Sequence, residues 1–600
     1  MLKNNTIEQQ LKNTHFLKVH FHGPDKNPFG IGAKVTIYGN NSSFSQENYP
    51  SRGYLSSVSP TLHFGIGGLT IADSLHVLWS DGKQQTIKNL SPNASIVLDY
   101  QKAIQKTKKN RKGNNFLSQS KLAFKHKDNA PVEFNRDPLI PYALSNCGPD
   151  ISVADINGDH LDDLFISGGK GQPSALFIQS SEGNFREHQK TLWSKNKLSE
   201  DISHDFGDID RDGDLDLIVV SGGNEFKSGK AIQPRLYLNH NGNFTLDEHR
   251  FKDLNLNASK VRFIDFNDDG NLDICILSDA QNTIFGQTPK QYLLENNGSG
   301  NFTDVTQNIA PDFQYMGNAR DFLFTDINND QKKDLIVVGH WMPITVFLNR
   351  DHQFIKTNFK GLQKSEGWWN VIKVHDFDHD GDLDIMAGNW GLNTRLKASE
   401  DAPITLYNYD FDGNNTKEPI ISYYYQGEET IFPSKEELGK QVPSINKKYL
   451  THASFADASF KDIFNSSLLK KADKKNVFEL ATCYFENKNN REFIKKKLPQ
   501  LAQISSINDI FVYDFNNDSY EDVLMVGNNY EVSTQLSKLD ASHGELFLND
   551  QQGNFLFESE ANFQIQGVVQ VLKKIQIKNR NYLLVGRNND SIIGCHLDER

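Results

Sequence analysis

The stretch Asp208-Ile-Asp210-Arg-Asp212-Gly213-Asp214-Leu-Asp216 puts oxygen-bearing side chains at positions 1, 3, 5 and 9 of a short loop, and Leu217-Ile-Val-Val220 follows as a run of β-formers. Alternate side chains on a tight loop turn toward a common centre, and hard oxygen ligands at that density suit Ca²⁺. The same pattern begins at Asp155, Asp208, Asp265, Asp326, Asp376, Asp410 and Asp514. A chain that returns so often to strand, acidic loop and strand is confined to a repeat architecture.

Three loops are the most complete: Asp208/Asp210/Asp212/Asp216, Asp265/Asn267/Asp269/Asp273 and Asp376/Asp378/Asp380/Asp384. All three carry Gly at position 6, where the turn calls for a positive φ. Asp155/Asn157/Asp159/Asp163 has His160 there, Asp326/Asn328/Asp330/Asp334 has Gln331, and Asp514/Asn516/Asp518/Asp522 has Ser519. The seventh, Asp410/Asp412/Asn414/Glu418, moves its glycine to position 4. An EF-hand would need Glu at position 12 and flanking helices, whereas Val219 and Ile276 stand at that position between strands. Asp-Asn-Gly sequences are also good turns without any metal. An acid at position 9 in every copy favours metal, and the expected cofactor is Ca²⁺ at several structural sites, each ion tying a loop between two strands.

Around the loops an ordered unit repeats: an alternating strand, the Asp loop, a second apolar strand, a variable loop, and a hairpin such as Leu236-Tyr-Leu-Asn-His-Asn-Gly-Asn-Phe244. Leu293-Leu-Glu-Asn-Asn-Gly-Ser-Gly-Asn-Phe302 and Leu546-Phe-Leu-Asn-Asp-Gln-Gln-Gly-Asn-Phe555 repeat the hairpin. Most loop-to-loop intervals lie between fifty and sixty-one residues. Four antiparallel strands per unit favour a propeller, which leaves only short protected edges.

Two intervals depart from the rhythm: Asp410 follows Asp376 by thirty-four residues, and Asp514 follows Asp410 by one hundred and four. Pro403-Ile-Thr-Leu-Tyr-Asn408 mimics Pro343-Ile-Thr-Val-Phe-Leu-Asn349, which predicts that the Asp410 loop sits in the outer hairpin of the Asp376 blade. Residues 434–475 read as a helical insertion, with Ser434-Lys-Glu-Glu437 as a capping box and Phe455, Phe460, Ile463, Phe464 and Leu468 near helical spacing. Gln570–Ile577 and Asn581–Gly586 read as a last blade without an Asp loop, and Phe124–Lys127 as the strand that closes the ring. The count is seven blades, or eight if Phe478–Lys497 forms its own. The expected fold is all-β: a small β-sandwich-like module over 1–101, a basic polar linker over 102–121, and the propeller over 122–600.

Within the first module, Phe16–Phe21, Ala33–Tyr38, Ser74–Trp79 and Ser95–Tyr100 alternate as short strands. Asn27-Pro-Phe-Gly-Ile-Gly-Ala33, Arg52-Gly-Tyr-Leu-Ser-Ser57, His63-Phe-Gly-Ile-Gly67 and Val77-Leu-Trp-Ser-Asp-Gly-Lys83 together resemble the ASPIC/UnbV module that accompanies propeller repeats in the cartilage acidic protein family and in bacterial surface proteins. Arg52, Tyr54, His63 and Trp79 read either as a binding patch or, for Trp79, as core. The acidic-loop units resemble FG-GAP/VCBS-type repeats, the calcium-loop propeller also seen in integrin α subunits. Leu139–Ser145, Val338–Ile344 and Gly388–Asn393 look like the bacterial surface-protein branch. The resemblance implies calcium, a place outside the cell, and adhesion or glycan capture.

If the Asp loop joins strands one and two, the Asn-Gly hairpin shares its face, and the remaining loops lie opposite. Trp341, Trp368, Trp369 and Trp390 fall in those opposite segments, with His340, Asn393 and Arg395 nearby. They form a candidate surface for a glycan or protein ligand, or else the packing between blades.

A net charge of −12 argues against nucleic acid as a partner. Four cysteines without CxxC spacing exclude a disulfide-dense scaffold and leave the redox compartment open; Cys147 and Cys595 would pair only if the chain ends meet. No apolar run is long enough for a transmembrane helix, and Met1–Gln10 lacks the apolar core of a signal peptide. On its face that implies a cytosolic protein; the alternative is a piece of a longer exported, surface-anchored precursor. Sites as weak as ~10⁻⁴–10⁻³ M favour the second, because the cytosol does not supply such calcium. No GxSxG, HExxH, P-loop or CxxC element is present. The reading is a non-catalytic, calcium-stabilised binding module, with a polysaccharide lyase as the alternative.

Overall fold

The computed structural model describes residues 14–40, 42–105, 122–129, 133–559, 561 and 563–597. Most of the predicted basic linker, from 106 to 121, lies outside them, as does the polar stretch Met1–Gln10. The chain divides into two compact units, Met1–Lys112 and Gly113–Arg600.

The first unit is a pair of small sheets. His15–His22 runs between Leu62–Gly67 and Ala94–Asp99, and it is parallel to the latter. The second sheet runs from Ile104–Gln105 through Lys83–Leu90, Ala72–Leu78 and Lys34–Gly39 to Ser42–Glu47. Alternation does the work expected of it: Val35 and Ile37 are buried, as are Leu62, Phe64 and Ile66. Trp79 is core, 2% exposed, with its ring edge-on to Phe21 and Tyr100. Tyr54, at the tip of the hairpin formed by Ser51–Gly53 and Ser56–Ser57, stands 95% exposed. The four residues read as a possible patch are therefore not equivalent, because Trp79 offers nothing to a ligand.

In the second unit six antiparallel sheets follow one another, five of four strands and one with Gly367–Trp368 as a short fifth, and in five of them the four main strands pair in chain order. Their first strands are Ile151–Ala154, Glu200–Gly207, Asn257–Ile264, Asn318–Thr325, Val371–His375 and Ile507–Tyr513. A seventh sheet has three strands, Val568–Ile577, Arg580–Asn588 and Ile593–His596. The first strands touch their neighbours in sequence, and that of the seventh sheet touches that of the first. Seven blades thus close a ring. In blade 7 the two-residue turn Lys578-Asn579, with φ of 49° and 60°, replaces the Asp loop. Its fourth position is served by the start of the unit: Lys125 bridges Ser591, His126 N–H donates to Asp590 O, and Ile592 N–H donates to Phe124 O.

Blade 5 departs from chain order, and the expectation for the Asp410 segment needs correction. The third and fourth strands of this blade are Cys483–Lys488 and Glu492–Lys497, not the segment around Asp410. Ile404–Tyr409 and Glu418–Tyr425, which flank the Asp410 loop, belong to a separate sheet completed by Glu428–Ile431 and Asp473–Val477. Phe478–Lys497 therefore supplies the outer half of blade 5 and no eighth blade. The separate sheet carries five short helices between Lys435 and Lys471. The capping box is present: Glu437 N–H donates to Ser434 Oγ at 3.2 Å, and Ser434 N–H to Glu437 Oε2 at 2.7 Å. Phe455, Phe460, Ile463 and Phe464 are buried against Tyr407 and Ile420 of the sheet, while the buried leucine of the last helix is Leu469 and not Leu468. The insertion is an α/β lobe rather than a helical one.

All four cysteines are free, Cys147 and Cys595 included. Among the described residues no helix is long and apolar enough to cross a membrane.

Candidate functional site

Each Asp loop is built by two left-handed residues. Positions 4 and 6 have positive φ in all seven: Gly158 and His160, Arg211 and Gly213, Asp268 and Gly270, Asn329 and Gln331, His379 and Gly381, Gly413 and Asn415, Asn517 and Ser519. Gly at position 6 is thus the easy solution and not a requirement, since His160 (65°), Gln331 (66°) and Ser519 (69°) adopt the same conformation. This backbone turns the N–H groups of positions 5 and 6 onto the position 1 carboxylate. Asp326, for example, accepts from Asp330 N at 2.9 Å and Gln331 N at 2.6 Å. The Asp155, Asp265, Asp376, Asp410 and Asp514 loops repeat the pair of bonds.

Position 9 begins the second strand and is buried in every copy. Its carboxylate ties three things together. In blade 2, Asp216 Oδ2 accepts from Ile209 N at 3.3 Å, across its own loop. Asp216 Oδ1 accepts from Asn239 N at 2.8 Å, on the third strand. Asn239 Nδ2 then donates to Ile156 O, inside the loop of blade 1, at 2.9 Å. Asn296, Asn487 and Asn549 make the same reach to Ile209, Ile327 and Phe377 of the preceding blades. This asparagine recurs in the Leu-Tyr-Leu-Asn hairpin phrase, where its role as inter-blade connector is legible only as a turn signal.

The position 9 acids are electrostatically frustrated. Burial, with the neighbouring loop carboxylates adding to it, pushes Asp163, Asp216, Asp273, Asp334, Asp384 and Glu418 up to about 7, and Asp522 to about 6. A cation in the loop would reverse that cost. In three loops the acids alone converge: Asp208/Asp210/Asp212, Asp376/Asp378/Asp384 and Asp410/Asp412/Glu418 each bring carboxylate oxygens within 4.8 Å of one another.

In four of the other expected ligand sets the position 3 asparagine turns toward the position 5 acid. Asn157, Asn267, Asn328 and Asn516 direct an amide Nδ2 at the position 5 carboxylates of Asp159, Asp269, Asp330 and Asp518, at 3.0–3.3 Å. Their Oδ1 atoms accept the position 5 backbone N–H at 2.9–3.1 Å. The physical reason is that an amide carries donors as well as an acceptor, so it can answer the neighbouring acid itself. Asp159 shows the result: Oδ2 takes the Asn157 amide and Oδ1 takes Leu161 N–H at 2.9 Å, so both oxygens are engaged inside the loop. Asn414 Oδ1 accepts from Thr416 N at 2.7 Å and from Thr416 Oγ1, while Asn414 N–H donates to Asp410 and Asp412. The Asp265 loop, read from sequence as one of the three most complete, therefore groups with the Asp155, Asp326 and Asp514 loops. The less typical Asp410 loop is among the three whose acids converge.

The fit of a metal is clearest in blade 2, where Asp208 Oδ1 is buried and has no hydrogen-bond partner. Acceptor-only groups with an unmet oxygen are what a hard cation satisfies. Blade 5 differs, because Lys488 Nζ stands 3.7 Å from Asp378 and 3.5 Å from Asp380 and partly occupies the electrostatic role of an ion.

The opposite face overturns the expectation of an aromatic ligand surface. Trp341, Trp368, Trp369 and Trp390 are 5%, 0%, 0% and 2% exposed. Trp368 packs edge-on to both Trp341 and Trp390 at 5.2 and 5.0 Å, and Tyr142 packs against Trp368 and Trp390. Tyr142 Oη accepts from Trp341 Nε1 at 3.0 Å and is 2.8 Å from His340 Nδ1. Trp369 lies in the neighbouring cluster, its Nε1 donating to Ser365 O. The physical reason for Trp341, Trp368 and Trp390 is the segment Leu139–Ser145, buried throughout, whose Ile140, Tyr142 and Leu144 pack with them; Trp369 is buried instead among residues of blades 4 and 5. Asn393 and Arg395 remain exposed. Arg395 lies over the Tyr423 and Phe432 rings and donates to Tyr423 Oη and Gln535 Oε1.

Residues 23–105 match the family model described as ASPIC and UnbV, and residues 155–219 and 326–387 match the FG-GAP-like repeat. The chain combines an ASPIC and UnbV module with FG-GAP-like repeats. No curated protein matches it. Among solved structures it is similar to an Agrocybe aegerita lectin that recognises non-reducing terminal N-acetylglucosamine, with 12% identity, 97% of this chain and 100% of that chain covered, and a TM-score of 0.37. It is also similar to the V. cholerae biofilm matrix protein Bap1, with 12% identity, 81% and 91% covered, and a TM-score of 0.33. A third likeness, YCF48 bound to D1 peptide, has 8% identity, 77% and 95% covered, and a TM-score of 0.36. Likenesses this distant carry no argument about a ligand; the propeller rests on the closed ring of seven sheets.

Proposed function

We propose that this chain is a non-catalytic binding module whose propeller is held together by calcium, working outside the cell at a bacterial surface on a glycan or protein ligand. The observation that carries the calcium reading is the buried, unpartnered Asp208 Oδ1 among the carboxylates of its loop. Asp208, Asp210, Asp212 and Asp216 would hold the ion there, and the acids of the Asp376 and Asp410 loops would do the same. In the other four loops Asn157, Asn267, Asn328 and Asn516 would first have to turn their amide oxygens inward, which makes those sites the weaker ones. The ion's contribution is charge: it neutralises acids that the fold crowds and buries, and it fixes the loop that Asn239 and its counterparts lean on. Because such sites are weak, the role fits a calcium-rich exterior.

With the tryptophans withdrawn from the ligand surface, Asn393 and Arg395 are what remain of the expected site. Titration calorimetry should show several calcium equivalents with dissociation constants in the ~10⁻⁴–10⁻³ M range. Incubation with a panel of polysaccharides should give retention without new reducing or unsaturated ends. The appearance of such ends would replace the binding reading with a lyase.

A further inference from the structure

In blades 2 to 6 the third strand carries, near its end, the asparagine whose N–H meets the position 9 acid: Asn239, Asn296, Asn349, Asn487 and Asn549. The residue after it is His240, Asn297, Arg350, Lys488 or Asp550. In two blades that next residue overlooks the Asp loop of its own blade. His240 Nδ1 stands 3.7 Å from Asp212 Oδ2 in blade 2. Lys488 Nζ stands 3.5 Å from Asp380 Oδ2 and 3.7 Å from Asp378 Oδ2 in blade 5. Asp212 and Asp380 are the position 5 acids of their loops, so the two side chains hold equivalent places with different chemistry. Lysine brings a fixed positive charge there, and histidine an imidazole that can go without one. Arg350 is exposed and among the described residues pairs with no acid of its loop, while Asn297 and Asp550 bring no positive charge.

Lys488 has charge to give the loop. Its nearest partner is Glu486 Oε1 at 2.7 Å, but Lys496 Nζ meets Glu486 Oε2 at 3.0 Å, so two ammonium groups answer one carboxylate. Asp378 and Asp380 pair with no other lysine or arginine among the described residues. The position 9 acid is also better served in blade 5 than in its neighbours. Asp384 Oδ2 accepts from Tyr484 Oη at 2.6 Å as well as from Phe377 N at 3.2 Å, and its Oδ1 accepts from Asn487 N at 2.7 Å. Leu236, Leu293, Val346 and Leu546 hold the place of Tyr484 in blades 2, 3, 4 and 6 and offer no hydroxyl. In blade 2, where a histidine replaces the lysine, Asp208 Oδ1 is the oxygen left unmet. The Lys488 side chain is 34% exposed, so its ammonium can withdraw into solvent when another cation takes its place.

We propose that Lys488 is a tethered cation that stabilises the blade 5 loop without metal, and that the residue after the asparagine sets how strongly a loop calls for an ion. An ammonium beside two loop carboxylates lowers their mutual repulsion and opposes a second positive charge at the same place. Calcium reaches the Asp376 loop only by displacing Lys488, whereas the Asp208 loop, with His240, takes it unopposed. For calcium the proposal deepens the reading above and rests on it; the tethered charge does not.

The test uses the whole chain and two readouts, melting in excess EGTA and equilibrium dialysis at ~10⁻⁴ M free calcium. Lys488→Met keeps the stem and removes the charge. It should melt ~2 °C or more below the parent in EGTA, and it should bind more calcium, as one site tightened about tenfold. Lys488→Arg should match the parent in both. His240→Lys should do the reverse of Lys488→Met, melting higher in EGTA and binding less calcium, while His240→Gln should match the parent. Should Lys488→Met fail to fold, the two His240 variants carry the test. If Lys488→Met melts lower in EGTA while neither it nor the parent binds calcium, the calcium reading falls and the tethered cation stands. The proposal is overturned if Lys488→Met melts with the parent in EGTA, or if His240→Lys fails to melt higher there. It is also overturned if the parent binds calcium and both variants bind it equally well.

Discussion

The two ends of the propeller are made from residues of equal chemical promise and differ in what the fold does with them. At one end the carboxylates of the Asp loops crowd around buried position 9 acids, and Asp208 Oδ1 is left without a donor. At the other end Trp341, Trp368 and Trp390 gather around Tyr142 under a covering segment. The first end crowds carboxylates that a cation could neutralise, and in the Asp208 loop one oxygen is left unmet. The second is closed over by protein, with Trp368 Nε1 and Trp390 Nε1 buried and unpartnered, and its rings contribute stability instead of recognition. Residue type alone does not separate a site from a core; crowded like charge at one end and burial of neutral rings at the other do.

Removing a ring from the covered end should have the largest effect. Trp368→Ala deletes a fully buried indole at the junction of the other two and should cost ~3–5 kcal/mol in denaturant unfolding, equally with and without calcium. Dependence of that loss on calcium would dissolve the distinction between the ends. Acid probes the seam between blades 1 and 2. There His204 is buried, with Nδ1 2.7 Å from Ser152 Oγ, and burial lowers it from 6.5 to about 4. A histidine held neutral contributes stability that is present above pH 6.5 and is lost as pH falls toward 4. The parent should therefore lose ~3 kcal/mol more than His204→Gln between pH 7 and 4. Equal losses would show that the imidazole is not held neutral.

Within the Asp-loop end, Asp216→Asn keeps one acceptor of two and removes the charge that a cation would need. It should cost ~1–3 kcal/mol in calcium, and less in its absence. The smallest effect belongs to the exposed remnant of the expected ligand surface. Arg395→Ala should change stability by no more than ~1 kcal/mol, while its effect on ligand retention decides whether Arg395 belongs to a binding surface.

Much of this is legible in the sequence. The Asp loops announce themselves because position 9, the alternating acids and the following β-formers are local, and antiparallel pairing then dictates which loops share a face. The blade count follows from the same period. Within a loop, however, the letters do not say which way an amide turns, so Asn267 reads as a ligand while its Nδ2 braces Asp269. The Asp410 loop is misplaced by sequence for a physical reason: Ile404–Tyr409 and Thr345–Arg350 obey the same local grammar. What distinguishes them is that Ile404–Tyr409 pairs with Asp473–Val477, far along the chain. The tryptophans mislead for a related reason. Trp341, Trp368 and Trp390 pack with Leu139–Ser145, about two hundred residues away, and no local pattern announces that contact. The asparagine relay from Asn239 to the preceding blade is hidden inside a phrase that also makes a good hairpin.

Whether the Asp loops depend on calcium is read from the melting temperature of the whole chain, taken in millimolar calcium and again in excess EGTA. A propeller stapled by several ions that bind only the folded state should melt ~10 °C or more lower on chelation, and calcium added back should restore it. An unchanged melting temperature in EGTA would contradict the calcium dependence.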